Sequence, residues 1–169
     1  MSRKLLKNIE FDLSKRGIDY AIREIRHFQT ELQQQAMQLV EALTEEGIKV
    51  AKMQLASLDA VYTGELEQGI AGYFSPQLRA GFVYTDVFHA MFVEYGTGIV
   101  GEGTYPATTA NGWQYDIHGH GEQGWIYRND RDGKFYWTKG FVARPFMLNT
   151  FEWLKEAAPE IASRFWNEM

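Results

Sequence analysis

Residues 88–98 read Phe88-His89-Ala90-Met91-Phe92-Val93-Glu94-Tyr95-Gly96-Thr97-Gly98, a dense apolar run that stops abruptly in glycines. Phe88, Met91, Phe92 and Tyr95 recur at helical spacing, which predicts about two turns of helix. A buried strand is the competing reading of so short a run. Gly96 stands where a left-handed C-terminal residue belongs, because only glycine takes that conformation without a Cβ clash. Upstream lie a long helical pattern and a hairpin pattern. Downstream lie a glycine-rich loop, a second hairpin and a closing helix.

Working back toward the N-terminus, Ile70-Ala71-Gly72-Tyr73-Phe74 and Gly81-Phe82-Val83-Tyr84-Thr85 flank a Pro-containing connection and predict a hairpin. Gly72 and Gly81 are the positions where bulges are expected. Thr63 is the expected cap of a short turn holding Leu66 and Ile70. Ile18, Ile22, Ile25, Leu32, Ala36, Leu39, Leu43 and Val50 recur at spacings of three, four and seven, with charges on the opposite face. That predicts one amphipathic helix over 18–58, capped by Ser14 or Asp19. Gly47 is its weak point, where a break or bend is expected. So long a stripe exceeds what one small sheet covers. Either part of it buries against another subunit, or the helix folds back at Gly47; the sequence favours neither. Ahead of the helix, Ile9, Phe11 and Leu13 alternate with Glu10 and Asp12, the period-two pattern of a short half-buried strand.

Downstream of the opening stretch, residues 99–124 are rich in Gly, Thr, Asn and Gln. They predict a long loop with a strand fragment at Trp113-Gln114-Tyr115; loops of this length in compact domains are often functional. Trp125-Ile126-Tyr127 and Lys134-Phe135-Tyr136-Trp137-Thr138 predict a second hairpin, closed by Asp132-Gly133. Pro145 suits the first turn of the last helix, where its missing N–H is not needed. Phe146, Thr150, Trp153, Leu154 and Ala157 form the stripe of that helix, and Pro159 is expected to break or kink it. The whole predicts a single α+β domain over residues 1–169. Its long N-terminal helix and its C-terminal helix pack on a mainly antiparallel sheet of hairpins, with a loop and hairpin insertion at about 99–139.

Composition narrows the function classes. A net charge of −5 disfavours non-specific nucleic-acid binding through counterion release. The aromatic share of 15% is high: it can fill a core, and any surplus suits interfaces, where Trp and Tyr are enriched. Without cysteine there is no disulfide, thiolate metal site or thiol nucleophile, and a reducing compartment fits. The first residues lack the sustained apolar stretch of a secretory signal. The longest apolar region, 81–101, is broken by Asp86, His89 and Glu94 and makes a poor membrane span.

Three motifs suggest chemistry. Gly96-Thr97-Gly98-Ile99-Val100-Gly101 has the spelling of a dinucleotide loop, but Glu102-Gly103-Thr104-Tyr105-Pro106 does not open an amphipathic helix, so a cap and turn is the better account. Asp116, His118, His120 and Glu122 alternate, and in an extended chain would share a face able to hold a divalent metal. This loop would serve a small metal-dependent enzyme. Gly119 and Gly121 argue instead for a solvated loop that leaves the imidazoles unoriented. His89 near Glu94 lacks a nucleophile placed by sequence and reads as a core-edge histidine. Arg79, Arg128 and Arg131, beside aromatics, read as hairpin-surface or interface residues.

The run Ala90-Met91-Phe92-Val93-Glu94-Tyr95-Gly96-Thr97-Gly98, followed by Ala143-Arg144-Pro145-Phe146-Met147 at a helix start, resembles the tail-component family of long-tailed bacteriophages. These are the small tail-completion or head–tail joining proteins of the neck. Thr63-Gly64-Glu65-Leu66 and the lead-in Trp137-Thr138-Lys139-Gly140 also fit, and order and spacing carry the likeness over about 62–147. The segment 102–139 is long for a minimal member. The resemblance implies an α+β fold, a structural role in the virion assembled in the host cytoplasm, and no catalysis or cofactor. Its implied partners are further copies in a ring, commonly six-fold, and the connector and tail-tube or terminator proteins. DNA would pass without specific binding, and no membrane is involved. On this view Glu94, Tyr95, Gly96, Thr97, Gly98, Arg144, Pro145 and Phe146 are fold and interface elements, with Arg144 expected to pair with Glu94.

Overall fold

A computed structural model describes residues 8–60, 64–110, 112–129 and 131–168. The element order is α1 (Lys15–Ser57), α2 (Glu65–Gln68), β1 (Ile70–Ser75), β2 (Ala80–Thr85), α3 (Ala90–Tyr95), α4 (Gly98–Gly101), a 3-10 turn (Gly121–Gln123), β3 (Trp125–Arg128), β4 (Phe135–Thr138) and α5 (Phe146–Glu168). The strands form two separate two-stranded sheets, β1-β2 and β3-β4, so the class is α+β as expected. The chain forms two compact units. One holds Met1–Glu46, Gly72–Val83 and Leu154–Met169; the other holds Gly47–Ala71 and Tyr84–Trp153. The expected Thr63 cap lies outside the described residues.

In the first unit, α1 starts where Ser14 Oγ accepts the Gly17 N–H at 3.1 Å, an N-cap that settles the choice between Ser14 and Asp19. The strand expected over Ile9, Phe11 and Leu13 is not formed: residues 8–12 take no regular structure. A strand needs a ladder partner, and none is present for them among the described residues. Leu13 is 88% and Phe11 53% exposed. The Asp12 carboxylate instead accepts the Ser14 N–H at 2.7 Å, and the Ser14 side chain, then this N–H, hold its pKa below the ordinary value. Gly81 meets α1: a Cβ there would overlap the Thr44 hydroxyl. That hydroxyl donates to the Val40 carbonyl at 2.8 Å. Tyr73 stacks on Phe82 at 4.8 Å across the hairpin. At the far end of α5, Trp166 Nε1 donates to Gln35 Oε1 at 3.2 Å.

The second unit holds the deepest core. Val50, Ala51, Leu55 and Phe146 are fully buried, and Leu66, Ile70 and Ala90 nearly so. Burying a side chain such as Phe146 contributes about 1.5–3 kcal/mol. α1 runs through Gly47 without a break, because Gly47 is buried and its neighbours Val50 and Ala51 anchor the following turn in this core. Pro159 likewise sits inside an unbroken α5. One missing N–H costs a helix about 3 kcal/mol, and a 23-residue helix with apolar residues on both sides of the proline sustains that loss. The second hairpin has the register Trp125↔Thr138, Ile126↔Trp137, Tyr127↔Tyr136 and Arg128↔Phe135. Its turn is closed by the Asn129 N–H on the Lys134 carbonyl at 2.8 Å, with Gly133 at φ 70°. Residues 113–115 form no strand; Trp113 is held by aromatic contacts instead.

Candidate functional site

The two halves of the motif, about 50 residues apart in sequence, meet in one junction of the second unit. α3 ends at Gly96, whose N–H donates to the Phe92 carbonyl at 2.8 Å. Gly96 has φ 81° and ψ 173°. Its positive φ is the expected one, but its ψ is extended rather than left-handed helical. The reason is the next residue, which pairs at once: the Thr97 N–H donates to the Phe141 carbonyl at 3.0 Å, and the Thr97 carbonyl accepts the Phe141 N–H at 3.1 Å. A helical cap would turn the chain away from this bridge.

The glycines of the dinucleotide-like spelling are explained by the same approach. A Cβ on Gly96 or Gly101 would come within 2.8 Å of the Phe141 carbonyl, and one on Gly98 would overlap the Lys139 carbonyl. α4 is only four residues long, too short for a phosphate-holding helix of the dinucleotide fold.

Glu94 is the centre of the junction. It is 7% exposed. Its carboxylate accepts the Met147 N–H at 2.9 Å, the Leu148 N–H at 3.0 Å and the Tyr105 hydroxyl at 3.2 Å. Two of the orphan amides at the start of α5 are thus satisfied by a side chain from α3, and the negative charge faces the positive end of the helix. Burial nonetheless pushes the Glu94 pKa up, against the pull of the two amides and the phenol. Burial, then the Glu94 charge, raises the Tyr105 pKa.

The expected ion pair between Glu94 and Arg144 is therefore replaced. Arg144 joins the junction through its backbone N–H, which donates to the Val93 carbonyl at 2.8 Å, while its guanidinium lies 5.9 Å from the Phe141 ring. Amides of a helix start are better placed than a flexible cation, because they are fixed by the helix itself. Arg144→Ala is thus expected to cost only about 1 kcal/mol, the size of a surface cation–π contact. Urea denaturation measures this, and a loss several times larger would restore the ion pair. Pro145 opens α5 by accepting the Asn149 N–H at 2.9 Å, and Phe146 fills the core beneath.

The long loop is pinned to α3 by aromatic rings. Trp113 lies 5.5 Å from Phe92 and 5.2 Å from Tyr95, and Tyr95 meets Tyr105 edge-on at 4.8 Å. Phe88, expected in the helical stripe, is instead 84% exposed and touches Phe92 edge-on. Thr104 Oγ1 accepts the Ala143 N–H at 2.8 Å and donates to the Gly101 carbonyl at 2.7 Å. Tyr105, Thr104 and Phe141 belong to the junction, and no spacing in the sequence links them to Glu94 or Gly96.

The four alternating loop residues do not share a face, because the chain turns at 117–118 and again at Gly121–Gln123. Asp116 and His120 come together at 2.8 Å. Asp116 also accepts the Gly121 N–H at 2.6 Å, and that amide is the first cause of its pKa falling to about 2. His118 is exposed, its ring 5.5 Å from that of His120. Glu122 pairs instead with Lys139 at 3.0 Å. Among the described residues no group of three or more such side chains is placed to hold a metal ion. No helix is long and apolar enough to cross a membrane among the described residues.

Beside the junction is a cavity of about 520 Å³, lined among others by Leu66, His89, Val93, Trp125, Tyr127 and Arg144. One face of the β3-β4 hairpin thus turns toward this cavity through Trp125, Tyr127 and Thr138. Comparison with protein families, with curated proteins and with solved structures returned no match.

Proposed function

We propose that this chain is a structural virion protein of a long-tailed phage, joining head to tail or completing the tail by assembling into a ring. The observation that carries the reading is the junction itself. Val93-Glu94-Tyr95-Gly96-Thr97 and Ala143-Arg144-Pro145-Phe146-Met147, the two segments on which the resemblance rests, are bonded to each other through Glu94 and Val93. A short motif split across 50 residues gains weight when its parts form one module.

Two apolar faces lend further support. Ile18, Ile22 and Ile25 of α1 are all exposed, as are Ile126, Phe135 and Trp137 of the hairpin. Ring closure is head-to-tail and needs two different, complementary patches on each copy. Exposed apolar clusters of this kind mark interaction surfaces. In this reading the chain has no catalytic role and no cofactor, and its partners are other copies and the connector and tail-tube or terminator proteins. Its acidic balance lets DNA pass without being held.

Electron microscopy of the purified protein, alone and with isolated head connectors or tails, tests the proposal. The expected result is a ring on the connector or at the tail end. A protein that stays monomeric and binds neither particle overturns it.

A further inference from the structure

Two opposite charges line the cavity beside the junction without meeting. Glu67 comes from α2 and Arg144 from the segment that leads into α5, and both are half-buried. Among the described residues neither side chain has an ion pair, and the Arg144 guanidinium has only the Phe141 ring, at 5.9 Å. A half-buried charge without a counter-charge carries a desolvation cost that a bound opposite charge offsets. We infer that this cavity binds a small zwitterion with an aromatic body, the chemistry of a free aromatic amino acid. Its carboxylate meets Arg144, its ammonium meets Glu67, and its ring lies among Val93, Trp125 and Phe141. The inference goes beyond the ring-assembly reading and does not rest on it.

The walls suit such a ligand. The cavity holds about 520 Å³, inside the range of roughly 300–1,000 Å³ usual for small-molecule sites. Leu66, Val93, Trp125 and Phe141 supply an apolar lining around a few polar groups, the mixture that such sites share. The aromatic walls are rooted in fixed backbone, which holds a site in shape. Phe141 sits in the bridge to Thr97. Trp125 pairs with Thr138 in the hairpin, and its ring meets that of His120 at 4.9 Å.

The polar ends are rooted as well. The Arg144 N–H on the Val93 carbonyl at 2.8 Å fixes where its side chain starts. A guanidinium is a planar fork that takes a carboxylate through two parallel hydrogen bonds. The His89 ring and the Tyr127 hydroxyl also line the cavity, and neither is hydrogen-bonded to a described residue, so each has a donor to offer. On the facing element Leu66 is 4% exposed and pins α2, which sets the flanking Glu65 and Glu67 beside the cavity.

Charge selects a zwitterion over simpler ions. An anion without an ammonium would face the carboxylates of Glu65 and Glu67, and a cation without a carboxylate would face Arg144. Each mismatch leaves a like-charge contact, and such repulsion is how a site rejects the wrong ligand. Glu65 is exposed and has a contact of its own, so Glu67 is the partner left for the ammonium.

Calorimetric titration tests the site. Full-length protein is titrated at neutral pH with L-tryptophan, L-tyrosine and L-phenylalanine, and with the amide and the N-acetyl derivative of each. The expected result is that one of the amino acids binds. Its amide, which lacks the carboxylate, and its N-acetyl form, which lacks the ammonium, each bind about tenfold weaker or worse, the size of one charge-assisted contact. Arg144→Ala is expected to weaken the amino acid by the same factor and to leave the amide unchanged. Glu67→Gln is expected to weaken the amino acid and to leave the N-acetyl form unchanged. Circular dichroism checks that both variants fold, and Glu67→Gln, whose side chain has no partner among the described residues, carries the test if Arg144→Ala does not fold. Absence of binding by all three amino acids at millimolar concentration overturns the site. Equal binding of amino acid, amide and N-acetyl form overturns the zwitterion, as does binding that neither variant changes. None of these outcomes bears on the ring-assembly reading, which the microscopy above decides.

Discussion

Glu94→Ala is expected to destabilise the fold by about 3 kcal/mol, because it leaves three donors without an acceptor at a buried site and each such group costs about 1–3 kcal/mol. The donors are the Met147 and Leu148 amides and the Tyr105 hydroxyl. Relief from burying the carboxylate offsets part of the loss. Urea denaturation of both proteins measures the difference; a loss below about 1 kcal/mol would mean that water replaces Glu94 at the start of α5. The Glu94→Gln variant isolates the charge. Burial raises the folded-state pKa of Glu94 above its unfolded value. Its protonation therefore stabilises the fold fully below the unfolded value, about 4.3, and this contribution is lost as pH rises through the folded value. The unfolding free energy of wild type relative to Glu94→Gln should accordingly increase from neutral pH down to about pH 4. A difference that is flat or falls on acidification would show that the amides outweigh burial.

Gly140→Ala is the second large effect. Gly140 has φ 102°, and a Cβ there would overlap the Thr97 carbonyl. The conformation alone costs an L residue about 1–2 kcal/mol, and forcing backbone apart in a packed site adds about 1–3 kcal/mol. The obstacle is a backbone carbonyl held by the Thr97–Phe141 bridge, so no side-chain rotation relieves it. A loss of about 3 kcal/mol or more in urea, with the bridge amides exchanging faster with deuterium, is the expected outcome. Gly112→Ala is the control. It also has positive φ, but a Cβ there meets nothing within 4 Å, so it should lose only the conformational part.

The sequence was most legible where one element carries its own period. The spacing of Ile18 to Val50 predicted α1, and Asp132-Gly133 between two aromatic runs predicted the second hairpin. Phe88 to Tyr95 was read as helix with the correct stop at Gly96. Neither expected breaker ends its helix. Gly47 and Pro159 each weaken a helix locally, yet burial or helix length outweighs them. The period-two reading at Ile9 to Leu13 failed, because alternation says nothing of the partner that a strand requires.

The chemistry of the junction lay beyond sequence for a different reason. Glu94 and Arg144 are opposite charges in a shared motif, and pairing them is the natural expectation. Tertiary structure decided otherwise, because α3 enters so close to the start of α5 that amides reach the carboxylate first. In the same way Asp116, His118, His120 and Glu122 alternate on paper, but the two turns of the loop give Asp116 to Gly121 and His120, and Glu122 to Lys139. By itself the sequence determined the long helices, the hairpins, the α+β class and the glycine stop, since periodicity and the missing Cβ act within a few residues. Only the tertiary structure decided what Glu94 bonds to, why Gly96, Gly98 and Gly101 are glycine, and which apolar faces are left uncovered. Those depend on approaches between segments some 40 to 50 residues apart, which no local pattern encodes.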